Sequence, residues 1–170
     1  MKKLSQILMV TMFFSSLFFV GPATAASARE PRILAFNTMV GVPPGLTGTQ
    51  SQTPLRGVSG GGLPWMVGSA HGNLTVSGHL KIIVQGLVFA AGPNAGSNTI
   101  ASFRALVSCV NSDGTVTNLQ TDAFPATLGP ASSGGGDAEI EANVSLPHPC
   151  IAPIVFVTSP GGAWFAATGF

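Results

Sequence analysis

Charge is scarce in this sequence: lysine, arginine, aspartate and glutamate together make up 8% of its 170 residues. A surface that grips nucleic acid needs clustered cations. The basic residues beyond position 28 are Arg29, Arg32, Arg56, Lys81 and Arg104, and they are scattered. Glu30, Asp113, Asp122, Asp137, Glu139 and Glu141 outnumber them by one, leaving a net charge near minus one beyond residue 28. That excludes nucleic acid as an expected partner and gives no electrostatic reason to bind an anionic bilayer. Disorder is excluded from the other side, since it needs low hydrophobicity with high net charge and 45% of this chain is hydrophobic.

Chemistry-bearing motifs are also missing. Only three histidines occur, His71, His79 and His148, with no ligand spacing and no nucleophile motif joining them. Each reads as a solvent-facing or locally bonded histidine. The glycine-rich run Arg56–Pro64 lacks the GK[ST] ending of a phosphate cradle and precedes no helix, so it reads as a loop. Glu139 and Glu141 share a strand face about 6.8 Å apart by strand rise; paired carboxylates can run glycoside chemistry, but adjacent outward glutamates more commonly solubilise a sheet. The NLT at Asn73 and NVS at Asn143 match a glycosylation sequon and are assigned no role. No catalytic residue, cofactor or metal is expected. No fixed-period repeat and no capped 3.6-residue periodicity occurs beyond the first residues.

The N-terminus supplies an address. MKK followed by an apolar run from Ile7 to Val20, then Gly21, Pro22 and small residues, predicts a signal peptide over residues 1–28, cleaved after Ala25 or Ala28. The run is shorter than the ~20 apolar residues of a membrane span. No cysteine follows it to carry a lipid. Secretion or a periplasmic location is expected, and the short leader reads as bacterial. The remaining 142 residues, 29–170, suffice for a single domain.

Glycine, serine, threonine, asparagine and proline take the place of the missing charges, the vocabulary of turns and neutral strand faces. Leu74, Val76, Leu80, Ile82 and Val84 alternate with Thr75, Ser77, His79, Lys81 and Gln85, with Gly78 bending the segment or dividing it into two strands. The apolar stretch after Gln85 predicts a central sheet position. Phe103, Ala105, Val107 and Cys109 alternate with Arg104, Leu106, Ser108 and Val110, and NSDG then turns the chain. Ala138, Ile140, Ala142, Val144 and Leu146 point in while Glu139, Glu141, Asn143 and Ser145 point out. Further strands are predicted at Arg32–Val40, Leu63–Gly68, Thr115–Gln120, Ile154–Thr158 and Ala163–Phe170. These short strands between Gly and Pro turns predict an all-β fold, a two-sheet antiparallel β-sandwich, with a small β-barrel as the alternative.

Cys109 and Cys150 are the two cysteines. Both take inward parity if the PHP stretch before Cys150 stays extended. In an exporting compartment they predict one disulfide, against a free buried pair or a redox pair, the last weakened by the lack of a CxxC motif. Trp164, Ala166, Thr168 and Phe170 resemble in their alternation the last strand of an outer-membrane barrel, but tyrosine is absent and tryptophan occurs twice, too few aromatics for interfacial girdles. The function expected is therefore an exported noncatalytic domain that binds a protein or glycan or serves a structural role at the cell envelope. A small secreted hydrolase using His71 or His79, and an eight-stranded membrane barrel, are the alternatives.

Overall fold

The computed structural model describes residues 30–48 and 54–168. The expected signal peptide and Phe170 lie outside the described residues.

The clearest alternation forms a hairpin, β4 (Ser69–Thr75) and β5 (His79–Gln85), with Leu74 opposite Leu80 and Gly72 opposite Ile82. Gly78 divides the two strands: its φ is +91°, and its N–H bonds the Thr75 carbonyl at 3.1 Å. Val76, read as inward, falls in that turn and is exposed. β1 (Arg32–Phe36) adds beside β4, and β12 (Ala138–Asn143) beside β5, giving a sheet in the order β1-β4-β5-β12. Leu74, Leu80, Ile82, Val84 and Ile140 are buried on one face of it. Its other face meets solvent, so alternation stays visible in the sequence.

The second sheet is built around β8 (Ser102–Val110). Its order is β10 (Phe124–Pro125), β8, β13 (Ile151–Thr158), β14 (Trp164–Thr168) and β2 (Met39–Gly41), and β9 (Val116–Gln120) also pairs with β8. The NSDG turn joins β8 to β9 as expected, with the Asn111 N–H on the Thr115 carbonyl at 2.8 Å. Phe103, Ala105, Val107 and Cys109 are completely buried and belong to the same apolar cluster as the first sheet's inner face. The result is an all-β fold of two antiparallel sheets in contact, a β-sandwich. Among the described residues no strand ring closes, so the small-barrel and outer-membrane-barrel alternatives do not hold.

Other expectations also need correction. The stretch Arg32–Val40 is two strands, because β1 joins the first sheet and β2 the second. The apolar run after Gln85 is not central in a sheet. Gly86, at φ +63°, donates its N–H to Asp137 Oδ1 at 2.8 Å and turns the chain away; among the described residues β6 (Val88–Phe89) then pairs with β3 (Trp65–Met66) alone, a two-stranded ribbon like that of β7 (Ser97–Asn98) with β11 (Gly129–Pro130). Leu87 and Val88 are buried by packing, which their apolarity required without requiring a central strand. Finally, Trp164 and Ala166 do not share a face. Thr158 pairs with Trp164 while Val157 pairs with Ala166, so Phe165 is an extra residue, a bulge. The bulge sends Trp164 to the outer face against Phe156, at 6.0 Å between ring centroids, and leaves Phe165 facing Trp65 and Phe103.

The outer face of this second sheet is covered as well. Leu106, Ser108, Phe156, Thr158 and Trp164 are all buried there. The loop from Pro54 to Gly62 lies over them, tied by Arg56 Nη1 donating to the Ser108 carbonyl (3.4 Å) and Asn118 Nδ2 donating to the Arg56 carbonyl (3.0 Å). At its far end Gly61 donates to the Trp164 carbonyl at 2.8 Å, and Trp164 donates to Ser59 at 2.9 Å, so the loop continues the sheet beyond β2.

The expected disulfide is present: Cys109 and Cys150 are joined, with 4.9 Å between Cα atoms. It ties the end of β8 to the residue preceding β13, its neighbour in the sheet. The preceding stretch is not uniformly extended: the chain bends at His148 and Pro149.

Candidate functional site

Two places on the surface gather side chains capable of recognition or chemistry. The first is the solvent face of the first sheet. Register sets Lys81 directly opposite Glu141 and His79 opposite Asn143. Lys81 Nζ reaches Glu139 at 2.7 Å and Glu141 at 2.9 Å, and His79 Nε2 meets the other oxygen of Glu141 at 3.1 Å. The Lys81 ammonium, then the imidazole, hold the Glu141 carboxyl below its ordinary range, and Glu139 and Glu141 raise Lys81. Beside His79 an open depression of about 370 Å³ is lined by Glu30, Arg32, Asn73 and Thr75. Glu30 accepts the Ser77 N–H at 2.9 Å, and bonding with Ser77 lowers its pKa. The Thr75 and Ser77 hydroxyls bond one another at 3.0 Å.

The histidine–carboxylate contact that a hydrolase requires therefore exists, between His79 and Glu141. It lies on an exposed strand face, with the side chains 38% and 49% accessible, and the acid is shared with Lys81. Among the described residues, the ring nitrogens of His79 have no hydroxyl within hydrogen-bonding distance, so no nucleophile completes a relay. His71, opposite Ile83 on β4, and His148, near the disulfide, are exposed, and neither is bonded to this pair. Among the described residues no group of three or more His, Cys, Asp or Glu side chains could hold a metal ion. No helix among them is long and apolar enough to cross a membrane.

The second place is apolar. Trp65 on β3, Phe89 on β6 and the bulged Phe165 on β14 come from three distant stretches of chain. The Trp65 indole stacks on Phe165 at 3.9 Å between centroids with planes 20° apart, and meets Phe89 at 4.2 Å. The two phenylalanines do not pair with each other, so they cover opposite faces of the indole. Phe103 meets the cluster edge-on from the core, 6.4 Å from Trp65. Such pairs add about 0.5–1.5 kcal/mol each beyond area burial. Around this stack opens a groove of about 470 Å³, completed by Leu63 and Ile100 at the rim and by Gly61, Gly62, Ser159 and Ala163. Ile100 is placed by Asn98, a buried side chain that accepts the Ile100 N–H (2.9 Å) and donates to the carbonyls of Ile100 and Thr127. Gly61 is required on the opposite wall. A Cβ there would stand 2.9 Å from a Phe165 ring carbon and 3.1 Å from Trp65 Nε1.

One feature of the groove is not satisfied internally. Trp65 is 3% exposed, and among the described residues its Nε1–H has no hydrogen-bond partner. The Ser159 hydroxyl oxygen accepts the Ala163 N–H at 3.1 Å, which leaves its own proton to donate. Among the described residues no charged side chain lines the groove.

Compared with known proteins, the chain matches no protein-family model, no curated protein and no solved structure. The aromatic groove was not foreseen in the sequence. Its three rings stand beside Gly- and Pro-rich loops, a weak local sign that says nothing of their meeting.

Proposed function

We propose that this protein is an exported, noncatalytic binding domain whose recognition site is the groove around Trp65. The supporting observation is the groove itself: an apolar concavity of about 470 Å³ with few polar groups and an unpartnered buried donor in its wall. Ligand sites commonly have these traits. The disulfide accords with export, because such bridges persist in oxidising compartments. Of the two partner classes expected from sequence, a glycan fits this groove less well than an apolar group, since both faces of the indole on which a sugar would stack are already covered.

A hydrolase reading has one observation in its favour, the 3.1 Å contact of His79 with Glu141. The same experiment addresses both. The mature protein and its Gly62→Leu and His79→Ala variants are immobilised and exposed to extracts of the native envelope and medium, and ester and glycoside hydrolysis are assayed in parallel. Gly62 lines the groove, is exposed, and its Cβ position meets nothing within 4 Å among the described residues, so leucine adds bulk at the groove without displacing those atoms. A retained molecule should be lost with Gly62→Leu and kept with His79→Ala. Hydrolysis abolished by His79→Ala would overturn the noncatalytic reading.

A further inference from the structure

We propose that the groove takes a small uncharged molecule with an apolar ring system and a carbonyl oxygen, the oxygen accepting the Trp65 indole N–H. This rests on the groove being the binding site, and adds the chemistry of what enters it.

Charge comes first. Among the described residues no ionised side chain lines the groove, so an ionic ligand would lose its hydration without gaining a counter-charge there. Shape comes next. The concavity is lined by the half-buried ring of Phe89 and by the buried Phe165 and Trp65 of the stack. Flat apolar groups fit such walls, by offset or edge-to-face contact. The polar groups then set polarity. The Trp65 N–H can only donate, and the Ser159 hydroxyl keeps its proton to donate while its oxygen accepts from Ala163. A group that bonds the indole must therefore accept. An indole N–H buried without a partner is costly to the free protein, and the cost is removed when an oxygen binds it. The N–H lies buried beneath Gly61, 3.1 Å from the position its Cβ would occupy, so an oxygen reaches the indole by displacing a glycine that carries no side chain. Ligands that could stack or bond elsewhere on the surface, at the His79 depression, would instead meet Glu30, Arg32 and Asn73.

The test uses two uncharged compounds of nearly equal size, 2-acetylnaphthalene and 2-ethylnaphthalene, which differ in the carbonyl oxygen. Titration into the mature protein by calorimetry should give saturable one-site binding of the ketone, with the hydrocarbon roughly three- to tenfold weaker, the value of one net hydrogen bond. The Trp65 indole N–H resonance, assigned through contacts to the rings of Phe89 and Phe165, should move on saturation with the ketone and stay nearly fixed with the hydrocarbon. Gly62→Leu should weaken both compounds at least tenfold. Equal affinities, or an unmoved Trp65 resonance, would overturn the carbonyl assignment while leaving the groove as the site. Saturable binding unaffected by Gly62→Leu would overturn the groove as well. No binding of either compound, while a partner from native extract is still lost with Gly62→Leu, would overturn the ligand class alone. The resonance measurement on the unaltered protein decides the question even where the leucine variant fails to fold.

Discussion

Reducing the Cys109–Cys150 disulfide should lower the unfolding free energy by about 4 kcal/mol. The figure follows from the 41-residue separation of the cysteines, for which the chain-entropy relation gives roughly 4 kcal/mol at 25 °C. The folded state changes little on reduction, because β8 and β13 remain joined by the ladder from Val110–Ile151 to Arg104–Thr158. The effect therefore falls on the unfolded chain, which expands when freed of the cross-link. Two quantities should move together in urea unfolding monitored by circular dichroism: the midpoint should fall and the slope m should rise, since more surface is exposed on unfolding. The Cys109→Ala, Cys150→Ala double variant should lose somewhat more than reduced wild type, on the order of 1 kcal/mol, because Cys109 is completely buried and its sulfur leaves a void. A stability loss below about 1 kcal/mol, or an unchanged m, would refute the argument that the bridge acts through the unfolded chain. Thiols titrating in denaturant, in protein isolated without reductant, would refute the bridge itself.

Other outcomes follow from single residues. Gly72→Ala should destabilise by roughly 1–3 kcal/mol in thermal or urea unfolding, because its Cβ would collide with the Lys81 carbonyl and stand 2.7 Å from the Phe36 ring, whereas Gly62→Ala, with nothing within 4 Å, should lie within about 0.5 kcal/mol of wild type. Lys81→Met should raise the Glu141 titration toward its ordinary value of 4.5, read by carboxyl-carbon NMR. A depressed carboxylate pKa favours the folded state above its unfolded value, so the stability difference between wild type and Lys81→Met should be present at pH 7 and vanish as pH falls through the folded Glu141 pKa. In hydrogen exchange, the amides of Gly61 and Trp164 should be protected like strand amides, because each bonds across the loop–β14 seam.

The first sheet was legible because one of its faces is wet. Ile82 and Lys81, or Ile140 and Glu141, differ in polarity because they differ in surroundings, and the period-two pattern records it. β14 carries no such record: all its residues are buried, since the Pro54–Gly62 loop covers the side that a simple sandwich leaves to water. Polarity there says "inside" for every residue and cannot report a bulge, so the parity of Trp164 was misread. Two-residue strands such as β3 and β6 are too short for any period. The disulfide was readable because only two cysteines existed to pair. His79 and Glu141 were each visible as residues, but their contact depends on the pairing of β5 with β12, which no local spacing encodes. The same holds for Trp65, Phe89 and Phe165, which meet through a bulge and a two-residue ribbon.

The loop that covers the second sheet also forms the wall of the groove: Val58 and Arg56 lie over Leu106 and Ser108, and within four residues of Val58 the chain supplies Gly61 and Gly62 to the ligand side. Opening one surface lifts the other. The energetic consequence is linkage, in which whatever occupies the groove also opposes exposure of Phe156 and Trp164 on the far side, so occupancy at 100 times its dissociation constant would add about 2.7 kcal/mol to global stability.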